Sequence, residues 1–270
     1  LKATSLTLLL GILTLSNCSP TDENQVEIGD DGNSQNYLMA ATLFTQQSAE
    51  YTALCHQAYH LATMQALALA GQSSKPAIIL DLDETVLDNS PYTAWQVIQD
   101  RPYSPDTWTL WVLQAQAEAV PGATAFLHVA DSLGYTIFYI SNRDTSHLKA
   151  TMQNMADLGL PQVDTSHYLL KTNTSDKTER RDAVRQMGFD ILLMVGDNLG
   201  DFDGAWDKPA NSVQRKTLAL AAASKFGVSY IVLPNTLYGT WEGAIMGYNR
   251  DLTEATRDSL RKQALQPANL

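Results

Sequence analysis

The chain has 270 residues, 44% of them hydrophobic and 17% charged, enough to bury a sizeable core and too apolar for a disordered segment. Its formal net charge of -11 excludes capture of a nucleic-acid polymer or an anionic membrane surface by global attraction. An anionic ligand would need a local cluster of positive charge.

Lys2 precedes a mostly apolar run, Leu6 to Leu15, of signal-peptide length and too short to span a bilayer. Residues 1–18 therefore read as a signal peptide with a bacterial lipobox, Leu15-Ser16-Asn17-Cys18, in which Cys18 is lipidated. Ser19 after it points to an outer-membrane lipoprotein; without lipidation the chain would be periplasmic or secreted. The expected membrane contact is that anchor alone. Cys55 then has no disulfide partner and should act as a small buried hydrophobe. Residues 19–36 are polar, rich in Asp, Glu, Asn and Gly, and read as a flexible tether.

From Tyr37 to Ala70 the apolar residues Leu38, Leu43, Tyr51, Leu54, Tyr59, Ala62 and Leu69 recur at mostly helical steps, and Gly71 is a stop. The pattern then changes. Ala77-Ile78-Ile79-Leu80 is a continuous apolar run, as in a strand buried on both faces of a parallel sheet. Similar runs follow at Thr136 to Ile140, Tyr168 to Leu170, Ile191 to Val195 and Ser229 to Leu233. Helical patterns separate them at Ala123 to Leu133, Ser146 to Leu158, Lys177 to Met187 and Val213 to Phe226. This alternation predicts an α/β fold with a doubly wound, mainly parallel sheet. One aromatic-rich segment interrupts it, carrying Tyr92, Trp95, Tyr103, Trp108 and Trp111. The expected division is a small helical cap from 37–75 and 89–121, on a core built from 76–88 and 122–270.

Ligands in open α/β sheets bind at the carboxyl ends of the strands. Those ends carry Asp81-Leu82-Asp83-Glu84-Thr85, Ser141-Asn142-Arg143-Asp144 and Gly196-Asp197-Asn198-Leu199-Gly200-Asp201, with Lys177 after the third strand. A carboxylate can accept a phosphoryl group, and a second carboxyl two residues on can protonate the leaving alkoxide and then activate water. Such a crowd of acids needs a cation, and Mg²⁺ takes one or two carboxylates together with substrate oxygens and water.

These residues resemble the haloacid dehalogenase (HAD) superfamily of phosphotransferases, whose first motif is DxDxT. Ser141 after a strand, a Lys before the last acidic strand, and GDxxxD at Gly196 to Asp201 match three further motifs. The longer strings LDLDETVLDNSPY, YISNR, GDNLGDF and LPNTLYGTWE resemble class C acid phosphatases, the bacterial outer-membrane lipoprotein e family, from about Asn36 onward. The resemblance implies a HAD-like Rossmannoid core and a Mg²⁺-dependent acid phosphatase acting through an aspartyl phosphate. It implies Asp81 as nucleophile and Asp83 as acid and base. The metal would be held by Asp81, the Asp83 carbonyl and Asp197, with Asp201 in support. Ser141, Asn142 and Lys177 would bind the phosphoryl group, Lys177 being preferred over the nearby Lys171. A homodimer is implied as well.

The implied substrates are small nucleotide-like phosphomonoesters, 5′-nucleotides or nicotinamide mononucleotide, with Tyr92 and Tyr238 as stacking faces. Trp108 and Trp111 are divided between substrate contact and cap packing. Arg143 and Arg181 read as ordinary solvated charges, and the histidines show no metal-like clustering. Other readings are a non-catalytic surface binding lipoprotein on the same fold, a phospho-receiver and a dehalogenase. Against the receiver stands the chain length, and against the dehalogenase the Asp83 acid, which carbon–halogen cleavage does not need.

Overall fold

The computed structural model describes residues 35–207 and 211–268; the lipobox with Cys18 and nearly all of the tether lie outside them. The helical pattern after Tyr37 resolves into a short 3₁₀ turn, Gln35–Leu38, and two helices, α1 (Met39–Gln47) and α2 (Ala49–Leu69). Ser48 makes the break. Its backbone is extended, and its Oγ accepts from the Tyr51 amide at 3.0 Å, an N-cap that starts a new helix. Gly71, with φ +77, ends the segment as expected.

The remaining elements follow in chain order. First come β1 (Pro76–Leu80), β2 (Leu87–Asp88), α3 (Ser90–Gln99), α4 (Pro105–Leu113), β3 (Glu118–Ala119) and α5 (Ala123–Ser132). Next are β4 (Thr136–Asp144), α6 (Leu148–Asp157), β5 (Tyr168–Lys171), α7 (Thr178–Gln186) and β6 (Asp190–Gly196). The last are α8 (Ser212–Ala221), β7 (Tyr230–Val232), α9 (Thr240–Ile245) and α10 (Glu254–Ala264).

Among the described residues one parallel sheet runs β5-β4-β1-β6-β7. Successive residues of β1 point to opposite faces, so Ala77 and Ile79 enter one core while Ile78 and Leu80 enter the other. Both cores are closed by helices, which explains the unbroken apolar run. The chain leaves β1 toward β4 and leaves β6 toward β7. The order therefore reverses between β1 and β6, and a crevice opens at their carboxyl ends.

The helices divide differently from the expected cap. α1 packs on α3, but α2 lies on the sheet: Tyr51, Cys55, Tyr59, Ala62 and Ala66 share one core with Ile78, Leu80, Leu193 and Val195. These α2 side chains face strands, and burying them there removes more apolar surface from water than packing on a small insertion would. Cys55 is fully buried, as expected of a small hydrophobe, and its thiol is free among the described residues. The insertion is clasped at its base. β2 and β3 pair antiparallel, Leu87 opposite Ala119 and Asp88 opposite Glu118, so residues 89–117 leave and rejoin the core at one place. Among the described residues no helix is long and apolar enough to cross a membrane.

Candidate active site

The first acidic motif sits on a tight turn. Asp81 is still held to the sheet, its amide donating to the Val195 carbonyl at 3.0 Å. The Leu82 carbonyl then accepts from the amides of Thr85, Val86 and Leu87, and Glu84 takes a left-handed φ of 57°. This turn fans the two acids apart, so Asp81 and Asp83 meet different partners. From beneath, the buried Tyr59 hydroxyl of α2 donates to the Thr85 carbonyl.

Asp81 faces the crevice. Its carboxylate pairs with the Lys177 ammonium, which also lies 2.7 Å from Asp201 Oδ1. Lys177, just before α7, is the lysine that reaches the site, while Lys171 lies on β5. Asp197 lies just past β6. Its Oδ1 accepts from Thr85 Oγ1 at 3.1 Å, and its Oδ2 from Asn235 at 2.7 Å and Asn198 at 3.0 Å. Asp201 turns back over the strand end and accepts from the Asn198 amide at 2.9 Å. It both caps its own 3₁₀ turn and enters the site. Gly196 makes this possible, because a Cβ there would come within 2.6 Å of the Asp201 Cβ.

Carboxylate oxygens of Asp81, Asp197 and Asp201 all lie within 4.8 Å of one another. Lys177 supplies one positive charge to that set, so the hard oxygen donors fit a divalent cation. Proton affinities show the same demand. Burial, only partly offset by Lys177 and reinforced by Asp201, Asp197 and Asp83, pushes Asp81 well above the usual carboxylate range. Burial and then Asp201 push Asp197 up to about 6, against the hydrogen bond from Asn235. Burial works to lower Lys177, but Asp201 and Asp81 outweigh it and hold the lysine above its ordinary value. A cation must therefore displace a proton at acid pH. Affinity for a divalent cation, read by calorimetric titration with Mg²⁺, is expected to rise as pH climbs through about 6, where Asp197 ionises. It should go on rising above that while Asp81, also raised, still holds a proton. A flat profile across that window would contradict the shift.

Asp83 is in a separate nest. Its Oδ1 accepts from Arg143 Nε at 2.9 Å and Asn89 Nδ2 at 3.0 Å, and Arg143 Nη2 lies 2.8 Å away. Ser141, fully buried, directs its hydroxyl to Asp83 Oδ2 at 3.4 Å. Asn142 stays at the exposed rim, its Oδ1 accepting from Arg180 Nη2 at 2.7 Å, while the Ser141 carbonyl also takes a hydrogen bond from Arg180.

Two arginines overturn the expectation of solvated charges. Arg143 and Arg181 are each 2% exposed. Arg181 donates to the Gly200 and Asp201 carbonyls at 2.8 and 3.0 Å, bracing the acidic loop. For Arg143 a signal was present: period two along β4 puts residues 141 and 143 on one side of the strand. Asn89 and Asn235 had no such signal, since each reaches its carboxylate across a turn or from a distant loop. Thr85 is the Thr of DxDxT, and only its partner, Asp197, is new.

The aromatic residues divide. Tyr92 is only 6% exposed, stacked on Trp95, edge-on to Tyr103 and Trp108, with its hydroxyl 2.9 Å from Thr107 Oγ1. Tyr238 remains 40% exposed, its hydroxyl donating to the buried Glu84 carboxylate. Tyr103, 60% exposed, is a further open ring, whose phenol is raised by burial, by Tyr92 and by the charge of Asp83. No histidine joins the carboxylate cluster among the described residues.

Residues 16–241 match the family model of the HAD superfamily, subfamily IIIB (acid phosphatase). The chain belongs to this family. It is also 39% identical to the class C acid phosphatase of Bacillus anthracis, covering 88% of this chain and 100% of that one, with a TM-score of 0.84. The same Bacillus anthracis enzyme with tungstate bound superposes with a TM-score of 0.83 at 38% identity, again over 88% and 100% of the two chains. Acid phosphatase 1 of Solanum lycopersicum is 28% identical over 143 residues, 50% of this chain and 55% of that protein. Vegetative storage protein 1 of Arabidopsis thaliana is 27% identical over 132 residues, 46% and 47% of the two. The matches thus span about half the length of these plant relatives. The HAD-like Rossmannoid fold inferred from the motifs is the fold observed.

Proposed function

We propose that this chain is a magnesium-dependent acid phosphatase that hydrolyses small phosphomonoesters through a phosphoaspartate at Asp81. The observation that carries it is the convergence of Asp81, Asp197 and Asp201 around Lys177, with Asp83 held apart beside them. An Asp81 oxygen attacks phosphorus while the bond to the alcohol oxygen breaks, and Asp83 gives its proton to that departing oxygen. Water then attacks the phosphorus of the acyl phosphate. Asp83 takes its proton, the Asp81–phosphorus bond breaks, and inorganic phosphate leaves. Lys177 counters the charge on Asp81 and, with Ser141 and Asn142, holds phosphoryl oxygens. Asp81, Asp197 and the Asp83 carbonyl would hold Mg²⁺, with Asp201 in support; when bound it neutralises charge between carboxylates and phosphoryl oxygens. The tungstate bound by the Bacillus anthracis enzyme, a tetrahedral oxyanion, is in keeping with such a pocket.

For the substrate the reading is a 5′-nucleotide or nicotinamide mononucleotide. The open Tyr238 ring is the stacking face, Tyr103 a second, and Tyr92 supports from within its cluster. Lipid anchoring through Cys18 at the outer membrane and a homodimeric state belong to the same proposal and rest on family resemblance. A non-catalytic role has the named storage protein in its favour; the complete acid set around Lys177 speaks against it.

The test is hydrolysis of an aryl phosphate, 5′-nucleotides and ribose 5-phosphate, each with Mg²⁺ and with EDTA. Turnover should require metal, and kcat/KM should favour nucleotides by about tenfold or more, since one stacked base is worth about 1–3 kcal/mol. Equal efficiency on ribose 5-phosphate would remove the nucleotide reading. Absence of turnover in the metal-loaded protein would favour the storage or binding role.

A further inference from the structure

The proposed mechanism uses Asp83 but does not say what aims it. An aspartate carboxyl on a turn has several rotamers, and proton transfer needs one oxygen at the departing atom. Here the two oxygens are not equivalent. Oδ1 is surrounded by donors, Arg143 Nε at 2.9 Å, Arg143 Nη2 at 2.8 Å and Asn89 Nδ2 at 3.0 Å. Among the described residues Oδ2 has only the Ser141 hydroxyl, at 3.4 Å.

Arg143 is itself fixed from several sides. Its Nη1 donates to Thr151 Oγ1 at 3.1 Å, its Nη2 reaches Asn89 Oδ1 at 3.4 Å, and its amide donates to Ser141 Oγ at 3.0 Å. The insertion completes the clamp through α4. The Trp108 ring lies 5.8 Å from the guanidinium carbon, and Trp111 Nε1 donates to Asn89 Oδ1 at 2.8 Å. Trp108 and Trp111 are three residues apart and so share one face of the helix. A fully buried arginine is an expensive feature to maintain, because the loss of its hydration is repaid only by close and well-directed partners.

We infer that Arg143 and Asn89, clamped by Trp108 and Trp111 of the insertion, are positioning residues that occupy Asp83 Oδ1 and leave Oδ2 to carry the proton to the leaving group. The inference rests on Asp83 being the general acid. A planar guanidinium grips Oδ1 through two nitrogens, a geometry that lysine's single ammonium cannot reproduce. The cost of losing it should therefore fall where proton donation matters. Alkyl phosphates, whose leaving oxygen needs a proton, depend on the aim of Asp83. For dinitrophenyl phosphate, whose leaving group departs as a stable anion, the first step does not. The second step, in which Asp83 takes the proton of water, is shared by every ester. The two are separated by kcat/KM, which reads only through transfer to Asp81.

The experiment uses the full-length, Mg²⁺-loaded protein and a series of phosphate esters of increasing leaving-group basicity. It compares wild type, Arg143→Lys, Asn89→Ala and Asp83→Asn. Arg143→Lys is expected to lower kcat/KM on alkyl esters by about 10–100-fold, a fraction of the 10²–10⁴ that general acid help supplies. Its kcat/KM on dinitrophenyl phosphate should stay within about threefold of wild type, while kcat on every ester falls by one common factor set by the second step. A merely structural role would depress kcat/KM on all esters alike. If Arg143→Lys does not fold, Asn89→Ala reads the same steepening. A steeper dependence in Asp83→Asn with none in the folded Arg143 or Asn89 variants would overturn the positioning role and leave the acid in place. No steepening even in Asp83→Asn would remove the acid itself, and the positioning role with it.

Discussion

Asp81→Asn is expected to lower kcat on any phosphomonoester by on the order of 10⁴-fold or more, the scale of losing a covalent nucleophile. The amide is nearly isosteric, so the backbone bond from residue 81 to the Val195 carbonyl should persist. Stability should move the other way from activity. Burial, against the pull of Lys177, raises the proton affinity of Asp81, so ionising it disfavours the folded state. The sign follows directly. A carboxyl whose folded pKa lies above its unfolded one contributes fully below the unfolded value of 3.8 and loses that contribution as pH rises. A neutral Asn has no such loss, and Lys177 keeps Asp201 at 2.7 Å. The variant in EDTA at neutral pH should therefore melt no lower than wild type in a thermal scan. Turnover close to wild type would exclude Asp81 as nucleophile, and a lower melting point would mean that its charge helps hold the metal-free fold together.

Lys177→Met carries the second large effect. The ammonium is 4% exposed and pairs with both Asp81 and Asp201. Removing it while leaving both acids in place should cost about 3–5 kcal/mol, the usual cost of breaking a buried pair. Activity should fall with it, since Asp81 loses its counter-charge and the phosphoryl group a partner. The destabilisation should be largest at neutral pH and shrink toward acid, where the uncompensated carboxyls are protonated. Mg²⁺ should restore part of it by mass action. Denaturant unfolding with EDTA and with Mg²⁺ at neutral and acid pH checks each step. A metal-free variant as stable as wild type at neutral pH would mean that the cluster does not depend on lysine for charge balance.

The two variants also separate the parts of the site. Asp81→Asn should leave a stable, inactive protein, whereas Lys177→Met should give an unstable one that metal partly rescues. Together they test whether the crowded carboxylates are kept for chemistry at a cost to stability.

Much of the site could be read directly from local sequence because strand ends are predictable. An apolar run that stops at a polar side chain places that side chain at the rim of the sheet, which located the acids Asp81 and Asp197 and the hydroxyl of Ser141. Lys177 was identified by its place at a helix start, and the structure brings it to Asp81 across 96 residues of chain. The helix starting at Tyr37 was legible in its period but not its break, because the local cap at Ser48 outweighs the continuing pattern. Its packing was not legible either. An amphipathic stripe says that a helix face is buried, not whether sheet or insertion buries it.

What the sequence by itself determined was the set of chemical groups and the strand–helix alternation that sends them to one rim, since both follow from local periodicity. Only the tertiary structure decided how those groups are partnered. Arg143 on Asp83, Asn235 on Asp197, and Trp108 and Trp111 over Arg143 and Asn89 each join segments far apart in the chain. The physical reason is that a hydrogen bond or ion pair depends on position and direction in space. Residues 83 and 143 carry no mark of each other until β1 and β4 pair in parallel and bring their carboxyl ends side by side.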